Sequence, residues 1–538
     1  MKTVQSPLPP AKSLKTPAST SARRSLALAI LCAGLGGCML GPDDKPPPLP
    51  KGSAYAAHLQ KTIPGLKVAE TNAPPGTPQA QAEAANSVLR VQRLVEEMDI
   101  PGRWWEMYRC PKLNQLVSEA LVNSPNLRAM QHSLQQAWEQ RRVEGASLYP
   151  TISGQFIPTW NQVSHAYSNV PMQNYWVYGM HTLQTQVGYV PDLWGGATSA
   201  IVEAAAQADV QRFQVEATAM TLITNVVNAA FNDGSLRAQV ATQNQLIHEA
   251  DAILTIMDGQ QMLGDVAQTT VYLQHDVVAT QKAALAPLKK QFEQNRDQMA
   301  LLAGQPPNAP MPEFQMSDFT LPAKLPLSLP ARLLEQRPDV QAARAQITAA
   351  AAQVGVAIAQ RLPNLQLSAS PGYAAESLHK FFTPSMGQFA LMSTITQPLF
   401  QGGSLIHAQR AAKQQFLQSL EYYKHATLTG LNDVAQTLHA LNNDSEGVLA
   451  TYEQLDNARH SLALVERQHR LGDNSQIDVL AVRFLVTQKE LAMEQASLQR
   501  FSDSVALIQA LGGGWWNRND LGLNPEDVKT RSSSLLPW

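Results

Sequence analysis

Hydrophobic residues in this chain follow two different periods, and each period keeps to its own stretches. Leu365, Leu367 and Ala369 alternate with Gln366, Ser368 and Ser370, and Leu183, Val187 and Tyr189 alternate with Gln184, Gln186 and Gly188. Period-two alternation predicts strands with one apolar and one polar face. An ordinary half-buried hairpin has this pattern. So do the roughly ten-residue strands of a membrane barrel, apolar towards lipid and polar towards a lumen. Elsewhere the period is seven. Val434, Leu441, Val448, Leu455 and Leu462 recur in heptads, with Leu431, Leu438 and Tyr452 each three positions before a member. Such a seam predicts helices supercoiled against neighbours. No proline interrupts 196–263 or 403–471, so each stretch predicts a helix about 100 Å long at 1.5 Å per residue.

These elements occur twice. Pro125 and Pro150 lie 25 residues apart, as do Pro338 and Pro363, and the two pairs are offset by 213. Leu121-Val-Asn-Ser-Pro-Asn-Leu faces Leu334-Glu-Gln-Arg-Pro-Asp-Val, and Leu148-Tyr-Pro-Thr-Ile faces Arg361-Leu-Pro-Asn-Leu. Pro191-Asp-Leu-Trp-Gly-Gly matches Pro398-Leu-Phe-Gln-Gly-Gly at an offset of 207. Leu263-Gly264-Asp265 matches Leu471-Gly472-Asp473 at 208, and Leu302-Ala-Gly matches Leu511-Gly-Gly at 209. Ordered matches with so little drift indicate duplication. Each copy predicts a helix that ends at a proline, two strands, a Gly-Gly break, a very long helix, a Gly-Asp turn and a shorter helix. The expected fold class is α+β, mainly α, with four transmembrane β-strands per chain. Four strands cannot close a barrel, and open edges are not tolerated in lipid; three chains would supply twelve.

Composition agrees with long helices. The 538 residues are 44% hydrophobic but only 6% aromatic, and Ala, Gln and Leu are abundant, a mix that favours helix. The net charge of -2 gives no basic stripe for nucleic acid. The N-terminus carries Lys2, Lys12, Lys15, Arg23 and Arg24 with no acid before Asp43, then an apolar run from Leu26 to Leu35. This is a signal-peptide pattern, with a retained membrane anchor as the other reading. Leu35-Gly36-Gly37-Cys38 resembles the bacterial lipobox. The resemblance implies diacylglycerol and an N-acyl chain on Cys38, with acyl methylenes anchoring at roughly 0.8 kcal/mol each. Met39, not Asp, follows the cysteine, which by the same resemblance points to the outer membrane. With Cys32 in the signal and Cys38 lipidated, Cys110 has no disulfide partner and reads as a small packed residue.

Catalytic constellations are missing from the sequence. His248-Glu249 opens no H-E-x-x-H, the twelve histidines are scattered, and Gly512-Gly513-Gly514 follows a helix and not a strand. The expectation is no enzyme, no metal site and no cofactor beyond the lipid.

Several stretches are similar to the outer membrane factor (TolC-like) family, in particular its lipoprotein branch of efflux channels. They are Cys38-Met-Leu-Gly-Pro-Asp, Trp104-Trp-Glu-Met-Tyr, Leu325-Pro-Leu-Ser-Leu-Pro-Ala-Arg-Leu-Leu-Glu-Gln-Arg-Pro-Asp-Val340, Ile395-Thr-Gln-Pro-Leu-Phe-Gln-Gly-Gly403 and Leu511-Gly-Gly-Gly-Trp515. The similarity runs from about Cys38 to Trp515. It implies a homotrimer with a twelve-stranded barrel in the outer membrane and a periplasmic helical tunnel. A periplasmic adaptor (membrane fusion) protein would dock on it, with an inner-membrane transporter beneath. It also implies that Leu263, Gly264 and Asp265, and Leu471, Gly472 and Asp473, form adaptor-docking tips. Asp478 would sit at the aperture, in a ring of three carboxylates that favours cations and binds divalent ions. Thr270 holds the equivalent place in the first copy, and Asp265 and Asp473 also read as turn and N-cap residues. Cys110 departs from a position that is often acidic in the family. The expected organisation is a signal peptide (1–37), a lipid-anchored extended strap (38–100), a first repeat (101–312), an equatorial linker (313–330), a second repeat (331–515) and a polar tail (516–538). The rival reading is a lipid-anchored periplasmic coiled-coil scaffold or adaptor without a pore.

Overall fold

The computed structural model describes residues 41–48, 62–66, 87–162, 177–328, 330–518 and 521. The expected signal peptide, Cys38 and most of the expected tail lie outside the described residues. In chain order the elements are β1 (Thr62–Ile63), β2 (Gln92–Glu96), α1 (Pro111–Asn123), α2 (Pro125–Ala146), β3 (Thr151–Gln162) and β4 (Val177–Tyr189). Then come α3 (Gly196–Met262), α4 (Gln268–Leu302), β5 (Lys324–Leu327), α5 (Pro330–Gln336) and α6 (Pro338–Ala359). The chain continues through β6 (Asn364–Ala369), β7 (Gly372–Ala375), β8 (Gly387–Gln388), β9 (Leu391–Thr396), α7 (Ser404–Leu471) and α8 (Gln476–Ala510). The order is that of the two predicted copies. As predicted, the helix before each strand pair stops short of a proline, α2 at Ala146 before Pro150 and α6 at Ala359 before Pro363. Pro125 and Pro338 open these same helices, where a first-turn N–H would have no acceptor within the helix.

The chain divides into two compact units. The first holds Val143–Val202 and Ala351–Lys413, and its centre is a sheet. β3 pairs antiparallel with β4 over its whole length, from Thr151↔Gly188 to Gln162↔Val177. β4 pairs on its other edge with β6 (Val187↔Ala369) and β7 (Leu183↔Tyr373) in one unbroken register. β6 and β7 pair with β9 and β8 (Ala369↔Leu391, Gly372↔Gln388), again without a slip. Ser370 and Ala390 exchange both main-chain bonds across the gap, and Thr185 N donates to Pro371 O at 2.9 Å. The interruption is therefore Pro371, which has no N–H for the ladder. Counted by ladder, the sheet has the four strands that the alternation predicts.

Register puts Ile152, Phe156 and Trp160 with Val187, Leu183, Leu365, Leu391 and Ile395 on one face. Ser153, Gln155, Gln184, Gln186, Gln366 and Thr394 share the other. The apolar face is open: Trp160 is 79% exposed, Leu391 77% and Ile395 71%. Isolated exposed apolar residues are ordinary, but a contiguous two-sided sheet of this kind is a membrane or partner surface. Among the described residues no helix is long and apolar enough to cross a membrane.

The second unit holds Asp44–Arg142, Glu203–Ala350 and Gln414–Trp538. Its core is aromatic: Phe231 of α3 packs against Tyr108 (5.0 Å between centroids), Phe319 (4.7 Å) and Phe501 of α8 (5.1 Å). Truncating one such ring costs about 3–5 kcal/mol. The heptad seam of α7 is real packing, with Val434, Leu441, Val448 and Leu455 buried. In the expected linker 313–330, Phe314 and Phe319 lie in the core and β5 pairs parallel with β2 (Leu94↔Leu325). Of the expected strap, the described residues include β1 and β2, which join that sheet, and the buried Val88, Leu89 and Ile100. Arg500 of α8, fully buried, donates to the carbonyls of Val88 and Arg90 and so holds this segment in place.

The duplication is visible at atomic detail. Gly304 and Gly512 follow α4 and α8 with φ of +71° and +99°. A Cβ on Gly304 would lie 2.6 Å from Asn123 O, and one on Gly512 2.3 Å from Gln336 O. Asn123 and Gln336 are themselves the equivalent residues before Ser124-Pro125 and Arg337-Pro338. Arg337 explains the Leu-Leu-Glu-Gln-Arg-Pro-Asp stretch. It grips Asp339 through two bonds (3.0 and 2.7 Å), reaches Asp433 of α7 (2.9 Å) and donates to Ala510 O at the end of α8 (3.0 Å).

Candidate functional site

Two hairpin turns carry the predicted tip residues. At the first, α3 ends at Met262 and Gly264 takes φ +83°. Gly264 N donates to Gln261 O (3.0 Å) and Asp265 N to Gln260 O (2.9 Å). At the second, Gly472 takes φ +86°, with Gly472 N on His469 O and Asp473 N on Gln468 O, both 3.0 Å. These paired bonds around a left-handed glycine are the Schellman closure of a helix C-terminus. The turn role expected of Asp265 and Asp473 is thus played by their main chain. Neither is an N-cap, because Ala267 and Ser475 hold those positions. Met262 and Leu263 are each 80% exposed and Leu471 is 73%, so both turns end in leucines without a core to join.

The tips differ in their chemistry. Ser475 and Asp478 form a capping box: Asp478 N donates to Ser475 Oγ (3.2 Å), while Asp478 Oδ2 accepts from Ser475 N (2.9 Å) and Ser475 Oγ (2.7 Å). These bonds to Ser475 hold the Asp478 carboxyl below its ordinary value, so it is ionised at neutral pH. Both bonds fall on Oδ2. His469 and Asn474 add a further tie, Nδ1 to the Asn474 carbonyl at 2.8 Å. In the first tip Ala267 offers no side-chain cap, and Thr270 contributes only its main-chain N–H, to Ala267 O at 2.9 Å. The Ser-x-x-Asp spacing of the capping box is a sequence signal that a reading centred on Asp473 passes over.

The remaining candidates are placed simply. Cys110 is the buried residue before α1, and burial pushes its thiol up to about 11, which makes it a packed, unreactive group. Among the described residues no three His, Cys, Asp or Glu side chains converge as a metal site.

A two-faced sheet, paired helical hairpins with apolar turns, and a chain built twice define a channel of the duplicated outer-membrane type. The outer membrane efflux protein family model matches residues 116–305 and again 329–513, once per copy, and the chain belongs to that family. The pyoverdine export outer membrane protein OpmQ of Pseudomonas putida is 28% identical over 417 residues, which are 77% of this chain and 88% of OpmQ. The toluene efflux pump outer membrane protein TtgC of the same species is 23% identical over 94% of this chain and 98% of its own. The outer membrane protein VceC of Vibrio cholerae superposes with a TM-score of 0.69 at 25% identity, covering 78% of this chain and all (100%) of VceC. The open-state MtrE channel of Neisseria gonorrhoeae superposes at 0.71 over 89% of this chain and 99% of its own; at 22% identity this speaks to fold alone. The chain is an outer-membrane efflux channel subunit.

Proposed function

We propose that three copies of this chain close a twelve-stranded barrel and act as the passive exit duct of a tripartite export system. The observation that carries the reading is the sheet with two open edges, since among the described residues β3 pairs only with β4 and β9 only with β6. A sheet that exposes Trp160, Leu391 and Ile395 to lipid cannot leave such edges unpaired, and a second and third copy supply the missing partners. The exposed Leu263 and Leu471 are the surface we assign to a periplasmic adaptor, with an inner-membrane transporter supplying cargo and energy. Three ionised Asp478 carboxylates would give the second tip a negative ring that favours cations. A lipid on Cys38 would add anchorage to that of the barrel.

Cross-linking tests the closure. Thr159→Cys in β3 combined with Thr394→Cys in β9 places thiols near opposite edges of one sheet, on its polar face. A short bis-maleimide should give a ladder that stops at three chains. Monomer alone, or a ladder that runs on past three, would refute the closed trimer.

A further inference from the structure

The helices α7 and α8 are joined by a feature that the channel reading does not use. Asp503 of α8 is 5% exposed. Its Oδ1 accepts from Gln499 Nε2 at 3.1 Å. Its Oδ2 is buried and receives no N–H or O–H from any neighbour, yet the carboxyl is in hydrogen-bonding contact with the carboxyl of Asp444 on α7. Two ionised carboxylates are acceptors only and cannot bond to each other. With Asp503 buried and Asp444 half-buried, contact between the two carboxyls requires that one holds a proton.

We infer that Asp503 and Asp444 form a proton-operated latch: sharing one proton they join α8 to α7, and on losing it to water they set two like charges in the seam and loosen it. The surroundings support this. Among the described residues neither carboxyl has an ion-pair partner. Arg500, one turn away on α8, is turned to the carbonyls of Val88 and Arg90 and to Gln92 Oε1. Tyr108 meets this part of α8 at Ser504, through a hydrogen bond of 2.7 Å, and at Phe501, through ring packing, and not at either carboxyl. Ser445, beside Asp444, donates to Pro64 O. The latch therefore lies where α7 and α8 receive the N-terminal segment. Burial, and then the Asp444 carboxyl, pushes Asp503 up to about 7, with Gln499 opposing. The latch would work in this fold whether or not the chain forms an exit duct, and its test needs no channel activity.

The experiment is hydrogen exchange on the full-length protein in detergent at pH 6 and pH 8, corrected for the intrinsic exchange rate. Peptides within 440–448 and 500–507 are read, which leaves aside Glu494, a half-buried carboxyl on α8 that accepts from Thr242 of α3. Protection in both peptides should fall at least tenfold from pH 6 to pH 8. In Asp503→Asn, whose amide donates to Asp444 without titrating, the fall should vanish, and Asp444→Asn should behave the same way. Infrared spectra of the wild type should show a protonated carboxyl C=O band that titrates out over this range and is missing from Asp503→Asn. Equal protection at both pH values, an unchanged fall in the variants, or no such band would each overturn the latch. If Asp503→Asn does not fold, the wild-type infrared titration and Asp444→Asn decide.

Discussion

The two closures at Gly304 and Gly512 allow a prediction in which each substitution has its own control. All four glycines Gly264, Gly304, Gly472 and Gly512 have positive φ, between +71° and +99°. Alanine there costs about 1–2 kcal/mol of backbone strain at each. At Gly264 and Gly472 that is the whole cost, because a Cβ would meet nothing within 4 Å. At Gly512 the Cβ would come to 2.3 Å from Gln336 O, and at Gly304 to 2.6 Å from Asn123 O, both main-chain atoms that cannot step aside like a side-chain tip. Overpacking of this kind adds about 1–3 kcal/mol. Gln336 O also accepts from Trp515 Nε1 at 2.7 Å, so moving it weakens a hydrogen bond worth about 1 kcal/mol. Gly512→Ala should therefore lose about 3–6 kcal/mol, Gly304→Ala slightly less, and Gly472→Ala about 1–2. Thermal unfolding of the detergent-solubilised protein, followed by circular dichroism at one scan rate, should order the midpoints the same way. If Gly512→Ala melts with Gly472→Ala, the close approach does not bear on stability and the reasoning is wrong.

Other consequences follow from the same geometry. Arg337→Met leaves Ala510 O unpaired and takes away the counter-charge of two carboxylates that are 44% and 39% exposed. After allowance for their solvation the loss should be about 2–4 kcal/mol, and Arg337→Lys, with no fork, should restore less than half; full stability in the methionine variant would count against the fork. Ser475→Ala removes the cap at the second tip and should cost about 1 kcal/mol locally, read as faster exchange over 475–480 with the first tip unaffected. The raised Asp503 makes stability fall with pH. Below about 4 folded and unfolded chains both hold the proton. Between there and about 7 the unfolded chain releases it first, so stability declines, and above that it levels off. Denaturation midpoints at pH 5 and 7.5 should show this decline in wild type and a smaller one in Asp503→Asn. Leu263→Asp with Leu471→Asp, two changes on fully solvated turns, should leave the melting point within about 0.5 kcal/mol yet abolish export in cells; export at the wild-type rate would free the tips from any docking role.

Much of this architecture is legible in the sequence because its signals are local. Alternation at 365–370, the α7 heptads and the glycine turns each declare themselves within a few residues, and duplication lets one copy check the other. Sequence reading fails where contacts are distant. β2 and β5 are paired across more than two hundred positions, and no pattern in 313–330 shows that Phe314 and Phe319 complete a core with Phe231 and Phe501. Arg500 reads as a surface residue until its carbonyl partners are seen. Asp478 is different again. Its capping partner, Ser475, stands three residues away and was open to view, so local physics accounts for an acid that the family resemblance places at an aperture. The two roles are compatible, because a capping carboxylate keeps its charge.

Planar-bilayer recording of the purified protein tests whether this chain forms an open-ended duct through the outer membrane. Discrete, long-lived conductance steps are expected, cation-preferring in the wild type and less so in Asp478→Asn. A trimeric, folded sample that inserts into the bilayer and passes no current under any condition would contradict the duct.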